Sequence, residues 1–479
     1  MKIRTFYLIS AFCFITEFVP TLYGATDRPN VVLLVVDDLG YGEPGCYGGT
    51  SIPTPNLDQI SKEGVRFTQA YVTASYCAPS RAAIMTGRLQ HRFGFTTNPV
   101  GAMNCEPGVG LPVSETTLAQ MLVNAGYHTS LVGKWHLGGT APMHPMRRGF
   151  QEFFGFLHEG HTYCPPPYEG VTSFWRRKAL PDGKLGRSTS KDGKQIYSTH
   201  MGTHEPPYDA DNPLLRGSQP VEEKAFLTDA LTREGIDFVG RHRDEPFFLY
   251  LAYNAVHSPM QAPDKYMKKF SHIEDVHRRL FAAMLSNLDD NVGHLLATLK
   301  KWELDENTLI IVLSDNGGPT KELTSRNDPL SGGKGNLLEG GIRVPMLVRW
   351  KGKIPAGQTC TDVVWSPDIV PTVLGACNIA APKKVSDGLN LLPLLKREAS
   401  LPTRTMMWEM GQWQALRHGN DKIVRQRRTG KEAWQLYSLQ KDIAEKHDLA
   451  ATLPQKVEEL ATQFEQWQQL MKTENNFQK

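Results

Sequence analysis

Two pairs of oxygen-bearing side chains stand at the ends of apolar runs in this sequence: Asp37 with Asp38, and Asp315 with Asn316. Carboxylates and an amide carbonyl are the donor set a hard divalent cation takes. Flexible carboxylates in a largely protein-made oxygen cage favour Ca2+ over the smaller Mg2+. Taken singly, each pair also suits an ordinary turn or helix cap. A third feature is Cys77, in Cys77-Ala78-Pro79-Ser80-Arg81, followed by the apolar helical pattern Ala82-Ala83-Ile84-Met85 and by Thr86-Gly87-Arg88. Pro79 suits a first helical turn, which puts Cys77 just before a helix N-terminus, where unpaired N–H groups favour an anion. On local physics alone Cys77 reads as a low-pKa, reactive thiol, with a small buried hydrophobe as the competing reading.

Something must bring these residues together. Continuous runs rich in Val, Ile, Leu, Phe and Tyr, at 31–36, 129–132, 247–253, 309–313 and 346–350, have the character of strands buried on both faces of a parallel sheet. Helical periodicity between them, at 56–63, 118–125, 224–239 and 277–299, implies an α/β sandwich. Ligands of open parallel sheets bind beyond the carboxyl ends of the strands. Here those ends lead into Asp37-Asp38, into Lys134 and His136, into His257, and into Asp315-Asn316. Four strands thus deliver acids, bases and cations to one edge.

Residues 160–222 are polar, rich in Gly, Pro, Ser, Thr and Lys, and read as an elaborated loop region over that edge. Within it Trp175-Arg176-Arg177-Lys178 is either a solvated stretch or a ring and three cations suited to a sulfated sugar. After a helical pattern at 368–376 the character changes. Segments 406–409, 412–417, 422–427 and 434–439 alternate, with the turn signal Gly419-Asn420 between two of them, and a helix is expected over 454–471. The expected organisation is a signal peptide over 1–25, a catalytic domain over 26–395, and an antiparallel-sheet subdomain over 396–479.

With 53 Lys and Arg against 50 Asp and Glu, the net charge of +3 gives no ground for a nucleic-acid or acidic-membrane partner. The N-terminus carries Lys2 and Arg4, an apolar run from Phe6 to Ile15 and a small-residue end at Gly24-Ala25, the pattern of an export signal. The run is shorter than a membrane span needs, and Glu17 interrupts it. Of seven cysteines, Cys13 leaves with the signal; pairing among the others is not set by spacing.

Cys77-x-Pro79-Ser80-Arg81 with Thr86-Gly87-Arg88 resembles the signature of the Cys-type sulfatases, the formylglycine-dependent type I family of the alkaline phosphatase superfamily. Further blocks resemble the family, in its order: Pro29-Asn30 leading to Asp37-Asp38-Leu39-Gly40-Tyr41-Gly42, Thr54-Pro55-Asn56-Leu57-Asp58, Gly133-Lys134-Trp135-His136-Leu137-Gly138, Ser314-Asp315-Asn316-Gly317-Gly318, and Lys334 to Gly341 with Arg343-Val344-Pro345. The resemblance spans roughly residues 28 to 450. It implies an alkaline phosphatase-like fold: a large mixed, mostly parallel sheet between helices, with a smaller C-terminal α+β part holding an antiparallel sheet and a terminal helix.

By the same resemblance, a formylglycine-generating maturation enzyme converts Cys77 to Cα-formylglycine. That residue joins Asp37, Asp38, Asp315 and Asn316 around the cation. Arg81 and Lys134 are expected at the aldehyde hydrate, and His136 as the base that takes its remaining proton. His257 and Lys334 are expected on the sulfate, with His257 as acid for the departing alcohol. His158 and His161, in Phe156-Leu157-His158-Glu159-Gly160-His161, are candidates for substrate contact at the pocket mouth. The implied activity is sulfate monoester hydrolysis on a polysaccharide or glycosaminoglycan, in an exported protein with no membrane span once the signal is removed. A phosphatase or phosphodiesterase of the same superfamily and a noncatalytic binder of sulfated glycans are the alternatives. The chain departs from the family at Leu436-Tyr437-Ser438-Leu439 with Asp442-Ile443, and residues 160–222 match no family block.

Overall fold

The run NVVLLVV, Asn30–Val36, offers no polar face to solvent, and in the computed structural model of the protein it is buried throughout as a central strand of a 10-stranded sheet. The structure describes residues 28–476 apart from 181, 202–203, 382–385 and 428–431, so the expected signal peptide lies outside the described residues. Among those described, no helix is long and apolar enough to cross a membrane.

Five neighbouring strands are parallel: Glu152–Phe156, His128–Lys134, Phe247–Ala252, Asn30–Val36 and Thr308–Ser314. Val31 lies opposite Phe248 on one side and Leu309 on the other. Successive side chains of a strand point to opposite faces. Val32, Leu34 and Val36 therefore enter one core with the helices Leu227–Arg241 and Val276–Lys301. Val31, Leu33 and Val35 enter a second with Cys77–Thr86, Leu118–Asn124 and Ile369–Ala376. The result is the expected alkaline phosphatase-like α/β sandwich with a mixed, mostly parallel sheet.

Two expectations need correction. Met346–Arg349 is a buried strand, but it runs antiparallel to Thr308–Ser314. Between the two lie only the short helices Thr320–Leu323 and Glu339–Ile342, without the long crossover helix that usually joins parallel neighbours. Residues 160–222 are not all loop: Val171–Arg176, Arg187–Thr189 and Gln195–Ser198 build a four-stranded sheet with Met260–Pro263. Their Thr, Ser and Arg content hides them from a hydropathy reading, and one partner strand lies far along the chain. Val171–Arg176 is buried along its whole length.

At the C-terminal end the strands Thr405–Met410, Trp413–His418, Asp421–Gln426 and Gln435–Ser438 form an antiparallel sheet, as the alternation predicts. The helix Pro454–Asn476 closes it, packing Leu460 and Phe464 against Leu416, Ile423, Trp434 and Leu436. Cys46, Cys77, Cys105, Cys164, Cys360 and Cys377 are all unpaired thiols.

Candidate active site

The helix Cys77–Thr86 is buried at all ten of its residues, which the alanines at 78, 82 and 83 permit, and it ends on Gly87 at φ 68°. Cys77 is its first residue, with Tyr76 as N-cap, one position further in than the spacing suggests. Its Sγ lies 3.5 Å from Asp37 Oδ1. Ligand atoms of Asp37, Asp38, Cys77 and Asp315 all fall within 4.8 Å of one another, and those of Asp37, Cys77 and His257 do so as well. The carboxyl edge of the parallel strands thus assembles the acids, the cysteine and a histidine in one place.

Asp38 sits just beyond its strand at φ 65°, in the left-handed region that costs a non-glycine residue energy unless its surroundings hold it. Ser314 Oγ accepts from Leu39 N at 3.0 Å, Ser325 Oγ accepts from Gly40 N at 2.9 Å, and the Ser325 hydroxyl donates to Asp38 O. Asn316 Nδ2 donates to Asp38 Oδ1 at 2.7 Å and to Gly317 O, which fixes the amide and leaves its buried Oδ1 without a hydrogen-bond partner. An unpartnered amide oxygen beside three carboxylates fits a hard cation held by Asp37, Asp38, Asp315 and Asn316.

Cations surround the acids. Lys134 Nζ is 2.6 Å from Asp37 Oδ2, and Lys334 Nζ is 2.8 Å from Asp38 Oδ1. Arg81, fully buried one turn along the helix from Cys77, donates from Nε to Asp315 Oδ2 at 2.8 Å and from Nη1 to Lys134 O at 3.1 Å. Its Nη2, 3.7 Å from Asp37, has no hydrogen-bond partner. Burial opposes ionisation of Asp37 and Asp38, yet Lys134 beside the first and Lys334 beside the second, with His257 near both, hold the two carboxyls below their usual range. Burial likewise opposes the charge on Lys334, and Asp38 and Cys77 outweigh it, raising its pKa well above normal.

Cys77 contradicts the expectation of a low-pKa thiol. Burial pushes its pKa up, and the neighbouring Asp37 carboxylate adds to the rise. A helix N-terminus acts over one turn, whereas a dry cavity shared with a carboxylate disfavours a thiolate more strongly.

The two histidines beyond the strand ends present opposite faces of the same chemistry. His136, at φ 55°, donates from Nε2 to Pro99 O at 2.9 Å, and its buried Nδ1 is left without a partner. Burial, then the nearby Lys134, lowers its pKa far below normal, so the ring is neutral and Nδ1 is a free base. His257 donates from Nδ1 to Ser258 O at 2.7 Å and turns Nε2 toward Asp38, 3.7 Å away. Burial lowers its pKa too. With Nδ1 so committed, acid work at Nε2 requires the doubly protonated ring.

Close approaches of backbone explain the glycines in these blocks. A Cβ on Gly133, at φ 113°, would meet Ala252 O at 1.9 Å, so only glycine lets the strand carrying Lys134 close on its neighbour. A Cβ on Gly317 would lie 1.8 Å from Gly340 O, which would push the Lys334 loop off the Asp315 turn.

His158 and His161 have other partners. His158 is buried with Nε2 3.2 Å from Cys105 Sγ. His161 Nδ1 donates to Thr162 O and lies 3.4 Å from Asp209. The loop between them rests on His257: a Cβ on Gly160 would be 3.2 Å from its Nδ1. Trp175 and Arg176 are buried, so for these two residues neither a solvated stretch nor a sugar-facing surface holds. Arg176 donates to Glu205 from Nε and Nη2 at 2.8 and 2.9 Å, and to Ser258 Oγ beside His257.

Some supporting residues carry no signal in the sequence. The Tyr163 hydroxyl bridges Asn254 O and His257 O at 2.7 and 2.8 Å, which holds the His257 turn. Glu339, wholly buried, meets Lys422 at 2.9 Å, Arg343 at 3.3 Å and the Tyr71 hydroxyl. Lys422 also meets Glu445 at 2.8 Å, and Glu445 in turn accepts from Glu339 N at 2.6 Å. Through this cluster the C-terminal sheet holds the loop that carries Lys334.

An acid cluster flanked by buried cations, at the carboxyl edge of an alkaline phosphatase-like sheet, places the molecule among hydrolases of anionic esters. A sulfatase family model matches residues 29–379, and an N-sulphoglucosamine sulphohydrolase C-terminal model matches residues 333–475. Human N-acetylgalactosamine-6-sulfatase is 34% identical over 385 residues, covering 78% of this chain and 66% of the relative. Human steryl-sulfatase is 32% identical over 416 residues, with 78% and 70% covered. The crystal structure of Ps i-CgsB in complex with k-i-k-neocarrahexaose superposes at TM-score 0.80 and 34% identity, covering 92% of this chain and 93% of that one. The chain therefore belongs to the sulfatase family, a class of sulfuric ester hydrolases. It spans about two thirds of the length of the N-acetylgalactosamine-6-sulfatases it matches.

Proposed function

We propose that the chain is an exported enzyme hydrolysing sulfate monoesters on a carbohydrate, with a nucleophile made from Cys77. One observation carries this reading: the Cys77 side chain, the Asp37, Asp38 and Asp315 carboxylates and the His257 ring converge at a single strand edge. Oxidation by a maturation enzyme, which supplies the oxidant and removes the sulfur, would leave an aldehyde in place of the Cys77 thiol, and its hydrate would offer one hydroxyl to attack sulfur, with displacement of the alcohol, and a second to expel sulfate as the aldehyde reforms. Asp37, Asp38, Asp315 and Asn316 would hold a divalent cation, Ca2+ before Mg2+, which would supply positive charge at a sulfate oxygen.

The chain's own residues do the rest. Arg81 braces Asp315 and Asp37 and keeps Nη2 for the group at position 77. Lys134 and Lys334 offset charge that builds on the sulfate oxygens. His136, neutral with Nδ1 free, takes the hydrate proton as sulfate leaves. His257 binds sulfate, and it donates to the leaving alcohol only when doubly protonated, a form that burial disfavours and that an anionic ester beside Nε2 would favour.

A carbohydrate substrate is supported by the names of the relatives, an N-acetylgalactosamine-6-sulfatase and a structure bound to a neocarrahexaose. The steryl-sulfatase match shows that family likeness alone does not choose the alcohol. The test is a panel of defined sulfated saccharides, run beside an aryl sulfate and the matching aryl phosphate. Release of sulfate from one saccharide class is expected, with the aryl sulfate preferred over the phosphate. Preference for the phosphate would refute the reading.

A further inference from the structure

At the opposite end of the main sheet a second cluster of ligating side chains has no part in this chemistry. His128 opens the strand that ends at Lys134, about 20 Å away at the usual rise per residue. His242 is the C-cap of the helix Leu227–Arg241, and Glu245 lies in the turn just after it. One atom from each of the three can be chosen so that all lie within 4.8 Å of one another. We propose that His128, His242 and Glu245 form a site for a divalent transition metal, with zinc as its first occupant.

The tautomer of His242 is the central observation. Its Nε2 donates to Glu152 Oε1 at 2.9 Å, so in the neutral ring Nδ1 bears the lone pair. That Nδ1 is buried, has no hydrogen-bond partner, and lies 3.7 Å from Glu245 Oε2. In the neutral ring that lone pair faces a carboxylate oxygen, and either a proton or a metal ion between the two relieves the repulsion, which metal titration separates. His128 Nε2 reaches the same oxygen at 2.8 Å, and its ring stacks on that of His242 with centroids 4.2 Å apart. Three ligand atoms therefore lie within reach of one ion, and the His128 ring must turn off the stack for the two in-plane lone pairs to meet there. Glu152, itself paired with Arg241, supplies the carboxylate that orients a metal-binding imidazole from behind.

The backbone presets this geometry. His128 N donates to Pro246 O at 3.0 Å, Glu245 N to His242 O at 3.1 Å, and His242 N to Phe238 O at 3.2 Å. Each ligand is thus tied to an element beside the others, and rotation of the partly exposed His128 side chain would bring both nitrogens to the ~2.0–2.1 Å that zinc takes. The side chains of His128 and Glu245 are 34% and 57% exposed, which leaves room for water to complete four-coordination. Two imidazoles and a carboxylate select a borderline metal, whereas the all-oxygen set around Asp37 selects a hard one, so the two sites sort their ions by ligand chemistry.

The test is titration of tag-free, metal-stripped full-length protein with Zn2+ by calorimetry, and with Co2+ by visible absorption. Wild type is compared with His128→Ala/His242→Ala and with Asp315→Asn. The double variant should bind one equivalent fewer than wild type, or bind that equivalent at least about 30-fold more weakly. Asp315→Asn should keep it, and the double variant should keep its aryl sulfatase rate with Ca2+. Zinc-edge X-ray absorption should show two imidazole nitrogens. Equal stoichiometry and affinity in wild type and double variant would overturn the proposal. If the double variant does not fold, Glu245→Gln, at an exposed position, takes its place under the same criteria.

Discussion

Replacing Lys422 with Met removes the one cation among the described residues that Glu339 and Glu445 share, in a position where Lys422 and Glu339 are both fully buried. Burial works against the charge on Glu339, yet Lys422, then Arg343 and Arg417, outweigh it and hold its carboxyl at about 2 instead of 4.5. That difference is worth roughly 3 kcal/mol at neutral pH. Glu445 moves the other way: burial raises its pKa, and Glu339 adds to the rise against the pull of Lys422. Glu339 is the more readily ionised of the two, because three cationic neighbours and the Tyr71 hydroxyl face it. A carboxyl whose folded pKa lies below its unfolded one stabilises the protein above pH 4.5, and that contribution is lost as the pH falls toward 2.

In Lys422→Met, Glu339 keeps Arg343 and Tyr71, while Glu445 keeps only the backbone N–H of Glu339 among the partners described. The expected loss in urea denaturation at pH 7 is about 3 kcal/mol, the low end for breaking a buried pair. The loss should shrink toward pH 4, where Glu445 takes up a proton and no longer needs a cation. Because Glu339 N and Ser331 Oγ bond Glu445 and Ala444, the Lys334 loop should loosen and KM for an aryl sulfate should rise more than kcat falls. A loss below about 0.5 kcal/mol that does not vary with pH would refute this account of the cluster.

Asp315→Asn keeps an acceptor for Arg81 but weakens the cation cage; calorimetry should show lower Ca2+ affinity, and kcat/KM should fall on the order of 10²–10³-fold. His136→Ala should cost about 10²-fold or more in kcat with little change in KM, since its proton transfer belongs to sulfate release; an unchanged kcat would remove it from the mechanism. Arg176→Ala strips the buried Glu205 carboxylate of its bidentate partner, so it should lower stability by about 3 kcal/mol in urea denaturation. A variant as stable as wild type that bound glycan more weakly would instead place Arg176 at the substrate.

Much of this site is legible in the sequence because parallel strands announce themselves as continuous apolar runs, and the residues just beyond the runs that are parallel must lie at one edge, which the antiparallel run at 346–350 does not share. Asp37, Lys134, His257 and Asp315 fall together for that reason alone. The C-terminal sheet is legible in part: Thr405–Met410 alternates and a Gly-Asn turn marks one hairpin, whereas Trp413–His418 and Asp421–Gln426 bury consecutive residues because both of their faces are covered. The strands Val171–Arg176 and Gln195–Ser198 escape notice because their sheet is completed by Met260–Pro263, and polar strands show their burial only once the partner is in place. Arg176 reads as a surface cation for the same reason: Glu205 and Ser258, which neutralise and bond it, come from other segments. The acidity of the Cys77 thiol is illegible because a motif shows the helix start but not the carboxylate on a neighbouring strand. His242 and Glu245 show only a common local spacing, and the ring stacked on His242 comes from residue 128.

The central claim is that the polypeptide is inert as encoded and acts through a group made from Cys77. Peptide mass spectrometry of protein from its native host, with aryl sulfate turnover measured on the same preparation, tests it most directly. The account predicts that the active fraction carries a sulfur-free, hydrazide-reactive residue at 77 and that Cys77→Ala is inactive. A preparation that turns over while every copy keeps a free, alkylatable Cys77 would contradict it.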